Sequence, residues 1–334
     1  MTRAIPFFVI VLMLQGVMTS AAPIDTVTLT VREGIPLPNA VGGQAGGLVG
    51  GHVVSAGGTS WSGTPLKKHW HRECFVLQDD GWKNGPALPA PRADMAFASD
   101  STGLYLAGGA EDGHETNEVL VLSDIQTDSI WRHLTPLPKS VQGATAVCLD
   151  HTLYVACGTM QGEPLNQLWS LDLSGKDATW KTCAMLPGPG RSHCGFVMLD
   201  KNLYLLGGFS LPKGGKITIF DDAYRYDPRT NAWQRLDHIR LAGYAWAASA
   251  LDDRHVILTG RVRAVDDIRP EVEVLDVIDG RVRTLGQLMG PTCCAPAVQT
   301  GATTWCVFGG EPNTQRNRTA TVNLLTLTTD GAIR

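Results

Sequence analysis

The 334-residue sequence predicts an all-β fold, a six-bladed propeller, and three regularities point to it. Six apolar runs (HVVSAGG, LYLAGG, LYVACG, LYLLGG, HVILTG and WCVFGG) end on Gly58, Gly109, Gly158, Gly208, Gly260 and Gly310, at intervals of 51, 49, 50, 52 and 50 residues. A period near fifty marks a unit that cannot bury its apolar faces alone and must stack radially on its copies. Leu37-Pro38, Leu88-Pro89, Leu137-Pro138 and Leu186-Pro187 stand ahead of the first four glycines by 20, 20, 20 and 21 residues, counted from the proline. Trp82, Trp131, Trp180 and Trp233 recur in step with them.

Taken in order, the chain begins with Arg3, an apolar stretch over Ile5–Met18 and the small residues Ser20-Ala21-Ala22. This predicts a signal peptide over 1–22, and so an exported protein, periplasmic or secreted, whose propeller occupies 23–334. No other segment is long and apolar enough to span a bilayer, so no membrane association is expected after cleavage. Each later unit reads as an inner strand, a glycine-ended strand, a polar loop, a third strand and a tryptophan-led outer strand closing on Leu-Pro. The third strands, such as VLVLSDI and AYRYDP, alternate with period two. The last unit shows three strand runs (CAPAVQT, WCVFGG and TVNLLTLTT), and the missing fourth is TVTLTV at 26–31. Pairing first to last closes the ring and removes open sheet edges. Six blades over 23–334 give (334−22)/6 = 52 residues each.

Composition narrows the function. A net charge of −4 leaves no basic footprint for nucleic acid. The eight cysteines show no small-domain disulfide framework. Cys148, Cys157 and Cys306 lie in apolar strand runs and read as small buried hydrophobes. A bond between the neighbours Cys293 and Cys294 would be strained, and no pair is assigned.

The double-glycine, Trp and Leu-Pro register resembles that of kelch-repeat propellers over nearly the whole mature length. More narrowly, the chain resembles the N-acetylneuraminate epimerases, the bacterial sialic acid mutarotases, in a circularly shifted form. The residues that carry this are the export signal, the six blades, the insert TSWSGTPLKKHWHRECFVL after Gly58, and GGEPNTQRNRT over Gly309–Thr319. In that family a Gly-Glu followed by Arg-Thr lies after a glycine-ended strand, and the Glu and Arg form the catalytic pair. The resemblance assigns these roles to Glu311 and Arg318. Their spacing is about one residue longer than the family form, and Arg316 competes with Arg318.

Propellers hold ligands at a channel mouth, where loops from several blades converge. Residues just after the glycine turns and just before the inner strands form the set Trp61, Lys68, His69, His71, Arg92, Glu111, His114, Arg191, His193, Arg261, Glu311, Arg316 and Arg318. Several cations around one opening suit a small sugar acid. Anomer interconversion needs only a base for the anomeric hydroxyl and an acid for the ring oxygen, without a cofactor. On this reading Glu311 is the base, Arg318 takes the substrate carboxylate, and His71 or His193 is the acid. Lys68, Arg92, Arg191 and Arg316 complete the substrate-binding set. Arg92 and Arg191 occupy repeat-equivalent positions, which also fits hydrogen bonding between adjacent blades.

A metal site on His69, His71 and Cys74 is disfavoured, because Cys74 points away from both histidines. A copper radical oxidase is disfavoured too, since Tyr105, Tyr154 and Tyr204 repeat as packing residues. The alternative from another class is a non-catalytic kelch module that binds glycan or a protein partner at the mouth. Glu311 and Arg318 together beside Lys68 or His71 favour the enzyme; the pair splayed on the outer rim favours the binder.

Overall fold

The computed structural model describes residues 27–126, 129–175 and 178–329; the expected signal segment lies outside them. The described residues form six four-stranded antiparallel sheets, the blades of a propeller, with no helix among them. The innermost strands are Ala45–Val49, Ala96–Asp100, Thr145–Leu149, Gly195–Leu199, Ala247–Ala250 and Ala297–Gly301. Each lies against the innermost strand of both neighbours, so the ring is closed.

Closure uses the N-terminal strand. Val27–Glu33 pairs antiparallel with Val322–Thr329, from Val27 opposite Thr329 to Glu33 opposite Asn323, and supplies the outermost strand of blade 6. The register sets Val27, Leu29 and Val31 toward the core and leaves Thr28 and Thr30 exposed, as the period-two pattern requires.

The core is not one mass. Six large apolar clusters each join residues of two adjacent blades, for example Val54, Leu88, Leu106, Leu120 and Trp131 between blades 1 and 2. Fully burying one such side chain contributes about 1.5–3 kcal/mol. The tryptophan and Leu-Pro repeats have a shared physical role. Trp82, Trp131, Trp180 and Trp233 donate their indole N–H to the carbonyls of Ile35, Pro86, Thr135 and Ala184, at 2.9, 2.7, 2.8 and 2.8 Å. Each acceptor stands two residues before the leucine of a Leu-Pro pair, so every bond ties an outer strand to the blade before it.

The glycine turns serve close approach. A Cβ on Gly57 would lie 2.4 Å from the Arg92 carbonyl oxygen, and its φ of +69 is left-handed as well. The polar loops after the turns form short hairpins in blades 1–4, among them Thr59–Ser62 with Lys67–Trp70 in blade 1. Blade 5 instead runs straight through its single glycine as His255–Val262, with a bulge between Thr259 and Arg261. These hairpins and the short segments leading into the inner strands surround one end of the channel.

Candidate active site at the channel mouth

A backbone ring frames that end. Gly43, Asp94, Gly143, His193, Ala245 and Cys294, one per blade, all take left-handed φ between 46 and 70, namely 68, 56, 62, 53, 55 and 50. Each amide donates to the carbonyl of the preceding member, at 2.8–3.1 Å, and Gly43 closes the circle on Cys294. Below the ring a cavity of about 160 Å³ runs into the channel between Met95, Phe97, Phe196, Trp246 and Pro296.

A second tier stands outside the first. The residue before each ring member bridges to a residue just past the glycine turn of its blade: Gly42 to Thr59, Ala93 to Ala110, Gln142 to Thr159, Ser192 to Phe209, Cys293 to Glu311 and, displaced one residue by the bulge of blade 5, Tyr244 to Val262. At one point this tier is aromatic, with Phe209 between His193 and Tyr244 at ring-centroid distances of 5.4 and 4.6 Å. At Glu311 it is ionic.

The Glu311 carboxylate meets Nη2 of Arg318 at 2.9 Å. Arg318 is only 6% exposed, against 30% for Glu311, so the guanidinium backs the carboxylate from the protein side. Nη2 also donates to Thr59 Oγ1 (3.3 Å) and Nη1 to the Asn317 carbonyl (2.9 Å), while Nε is buried without a partner among the described residues. Gly42 makes the arrangement possible: a Cβ there would lie 2.8 Å from Arg318 Cδ and 2.9 Å from Glu311 Cγ. Burial pushes the Glu311 carboxyl above its usual range; Arg318 opposes this, Asp94 adds to it and Lys68 opposes it. Tyr244, pushed up to about 12 by burial and by neighbouring Cys293, Cys294, Asp266 and Glu311, stays a neutral phenol.

The blade 1 hairpin forms the adjoining wall. Thr59 and Trp61, paired with Trp70 and Lys68, line its Arg318 side. Lys68 Nζ stands 5.0 Å from the Trp70 ring, and the exposed Arg316 lies over Trp61 at 4.5 Å. Glu311, Arg318, Lys68, Arg316 and Trp61 are thus brought together.

His71 is not. It lies on the other face of the hairpin, with Nε2 2.7 Å from Ser60 Oγ and Nδ1 3.3 Å from Glu73. His69 shares that face and bonds Ser62. Glu111 and His114 face each other across the blade 2 hairpin. His193 is a ring member whose Nδ1 is buried without a partner, and burial lowers its pKa against the pull of Asp94.

Arg92 and Arg191 stand away from the mouth opening. Arg92 is buried against Glu118, and Arg191, with no exposure, makes 2.5 and 3.2 Å contacts to Asp222 and lies over Phe220. Both ion pairs stay within one blade; what crosses between blades is the backbone, from the Gly58 and Gly158 amides to the Arg92 and Arg191 carbonyls. Arg261 pairs with Glu273 at 2.7 Å in the same buried manner. Among the described residues no cluster of three or more His, Cys, Asp or Glu is placed to hold a metal ion.

Sequence reasoning passed over two residues of the site. Gly42 shows no signal beyond its place one residue before a ring position. Asp94 stands two residues after Arg92, as His193 does after Arg191, and that parallel is the signal that could have found it.

Comparison with known proteins finds sequence relatives over the middle of the chain. A family model described as N-acetylneuraminate epimerase matches residues 134–268, which covers blades 3 and 4 and part of blade 5 and ends before Glu311. An N-acetylneuraminate epimerase of Haemophilus influenzae (strain PittEE) is 30% identical over 124 residues, 37% of this chain and 32% of that protein. One from Shigella sonnei (strain Ss046) is 30% identical over 129 residues, 38% and 33% of the two chains. N-acetylneuraminate epimerase 2 of Escherichia coli O6:H1 (strain CFT073) is 29% identical over 128 residues, again 38% and 33%. The matches span about a third of the length of these curated relatives. In the sequence of its middle blades, the chain resembles the N-acetylneuraminate epimerase family.

Proposed function

We propose that this protein interconverts the anomers of N-acetylneuraminate, or of a closely related sugar acid, by acid/base opening and reclosure of the pyranose ring. The observation that carries the reading is Glu311: a carboxylate at the channel mouth, fixed from behind by a buried arginine and flanked by the cation Lys68. Ring opening transfers one proton from the anomeric hydroxyl and delivers another to the ring oxygen, and a held carboxyl group suits such a transfer. Arg318, buried behind Glu311 with Nη1 and Nη2 serving Glu311, Thr59 and Asn317, is a positioning residue. Lys68 and Arg316 are the cations left to meet the substrate carboxylate. We place the reaction outside the cytoplasm, on the strength of the leader-like Arg3, Ile5–Met18 and Ser20-Ala21-Ala22.

The test is proton NMR of freshly released α-N-acetylneuraminate with and without the protein. Faster approach to the anomeric equilibrium, strongly reduced in Glu311→Gln, is the expected result. Saturable line broadening of the sugar without acceleration would instead establish a binding module. N-terminal sequencing of the protein recovered from its native host tests export, with a mature chain starting near Pro23 expected.

A further inference from the structure

The ring at the mouth is chemically alternating. Asp94, His193 and Cys294 occupy every second position, and Gly43, Gly143 and Ala245 separate them. The glycines are there to be overlain: a Cβ on Gly43 would sit 2.5 Å from Asp94 Oδ1, and one on Gly143 would sit 2.4 Å from the His193 ring.

Asp94 stands out among the three. Its carboxylate is half-buried, and no described side chain donates a hydrogen bond to it or forms an ion pair with it. By contrast, buried Glu273 and half-buried Asp222 are each bound by an arginine. Asp94 and Glu311 also flank the same dipeptide, with Glu311 Cγ against Gly42 and Asp94 Oδ1 against Gly43. Two carboxyl groups therefore border one opening and feel each other's charge, one backed by a guanidinium and the other without a described side-chain donor.

We infer that Asp94 is the second proton-transfer group of this site, taking the anomeric proton while Glu311 serves the ring oxygen. This rests on the epimerase reading above. In the opening step Asp94 accepts the anomeric hydroxyl proton, the bond from the anomeric carbon to the ring oxygen breaks as the carbonyl forms, and Glu311 protonates the departing oxygen. Reclosure on the other face reverses both transfers, so the pair returns to one ionised and one protonated carboxyl after each turnover. The raised pKa of Glu311 suits it to hold the proton. The other groups facing Asp94 are His193 and Cys294. Burial keeps the imidazole neutral; a hydrogen bond with Cys293 and burial keep the thiol protonated.

The experiment is the pH–rate profile of anomer exchange for the parent, Asp94→Asn and Glu311→Gln, with thermal melts as a fold control. Asparagine tolerates the left-handed φ of 56 at this position. Expected for Asp94→Asn is a kcat lower by about 100-fold or more with KM little changed. Its ascending acid limb should vanish, whereas Glu311→Gln should lose the descending limb. A second variant, Asp94→Gly, also suits that φ, and added formate should restore its rate while leaving the parent unchanged. An Asp94→Asn enzyme within about threefold of the parent overturns the assignment and leaves the epimerase reading intact. Loss of the same limb in both variants, or Asp94→Gly unresponsive to formate, overturns it as well. A parent that does not accelerate exchange sinks the epimerase reading and this assignment together.

Discussion

Gly42→Ala tests the site through one methyl group. The backbone at Gly42 is not left-handed, so alanine is conformationally acceptable there, and the perturbation is steric. The new Cβ would stand 2.8 Å from Arg318 Cδ, 2.9 Å from Arg318 Nε and 2.9 Å from Glu311 Cγ, whereas ordinary contact begins near 3.4 Å. Something must move by about half an ångström. The Glu311 backbone is held by its bridge to Cys293, and Arg318 is held by Thr59 and the Asn317 carbonyl, so the displacement falls on the ion pair. Overpacking of this kind costs about 1–3 kcal/mol, a fall of a few degrees in Tm for a protein of this size. Misplacing a catalytic group by about 1 Å costs about 100-fold, so half that shift predicts a kcat about tenfold lower. The assay is anomer exchange by NMR beside a thermal melt. Gly290→Ala serves as control, because its Cβ would meet open space. A Gly42→Ala enzyme with lowered Tm and undiminished kcat would refute the claim that the Glu311–Arg318 geometry sets the rate.

Further outcomes follow from the same structure. Lys68→Met should raise KM for the sugar acid about tenfold with kcat nearly unchanged, the pattern of lost uniform binding; steady-state kinetics decide it. Trp131→Phe leaves the Pro86 carbonyl without its 2.7 Å donor, and urea unfolding should show about 1–2 kcal/mol of lost stability with parental kcat. Arg191→Met removes the guanidinium from Asp222, leaves the Tyr224 hydroxyl at 2.9 Å as its donor, and should cost about 3 kcal/mol, again without a change in kcat for the folded enzyme. The pH dependence of that pair has a definite sign. Burial raises the Asp222 pKa, but the Arg191 hydrogen bond and charge outweigh burial and leave it lowered. Its stabilisation is therefore present above the unfolded value near pH 4 and lost as pH falls through the folded one. The stability gap between the parent and Asp222→Asn, followed by urea titration, should close on acidification.

How much of this could be read from the sequence depends on which atoms carry the signal. The turn glycines, Leu-Pro pairs and tryptophans were legible because each does the same job in several blades, and repetition turns a packing requirement into a period. The closing strand was legible because TVTLTV supplies the alternation that the last blade lacks. Glu311 and Arg318 were found through a family motif, and their meeting depends on Gly42, some 270 residues earlier, which no local pattern links to them. The hairpin of blade 1 shows a different limit. Lys68 and His71 are an odd number of residues apart, and strand alternation sends them to opposite faces; only the pairing of Thr59 with Trp70 tells which face meets Arg318. Asp94 was overlooked because ring members share a backbone conformation rather than a side chain. Gly, Asp, Gly, His, Ala and Cys have no common chemistry to recognise, yet all accept or tolerate the same φ in this frame.

That hydrogen-bonded ring also restricts what the protein can use for recognition. Its six amides and six carbonyls are engaged with one another, all in one rotational sense. Many anion sites are built from free main-chain N–H groups at turns and helix ends, and here the main chain at the opening has none of those donors to spare. A bound solute meets a backbone that is already satisfied. Selectivity at this mouth consequently resides in side chains alone, and exchanging a handful of them could redirect the same scaffold to another ligand without disturbing the hoop that holds the blades together.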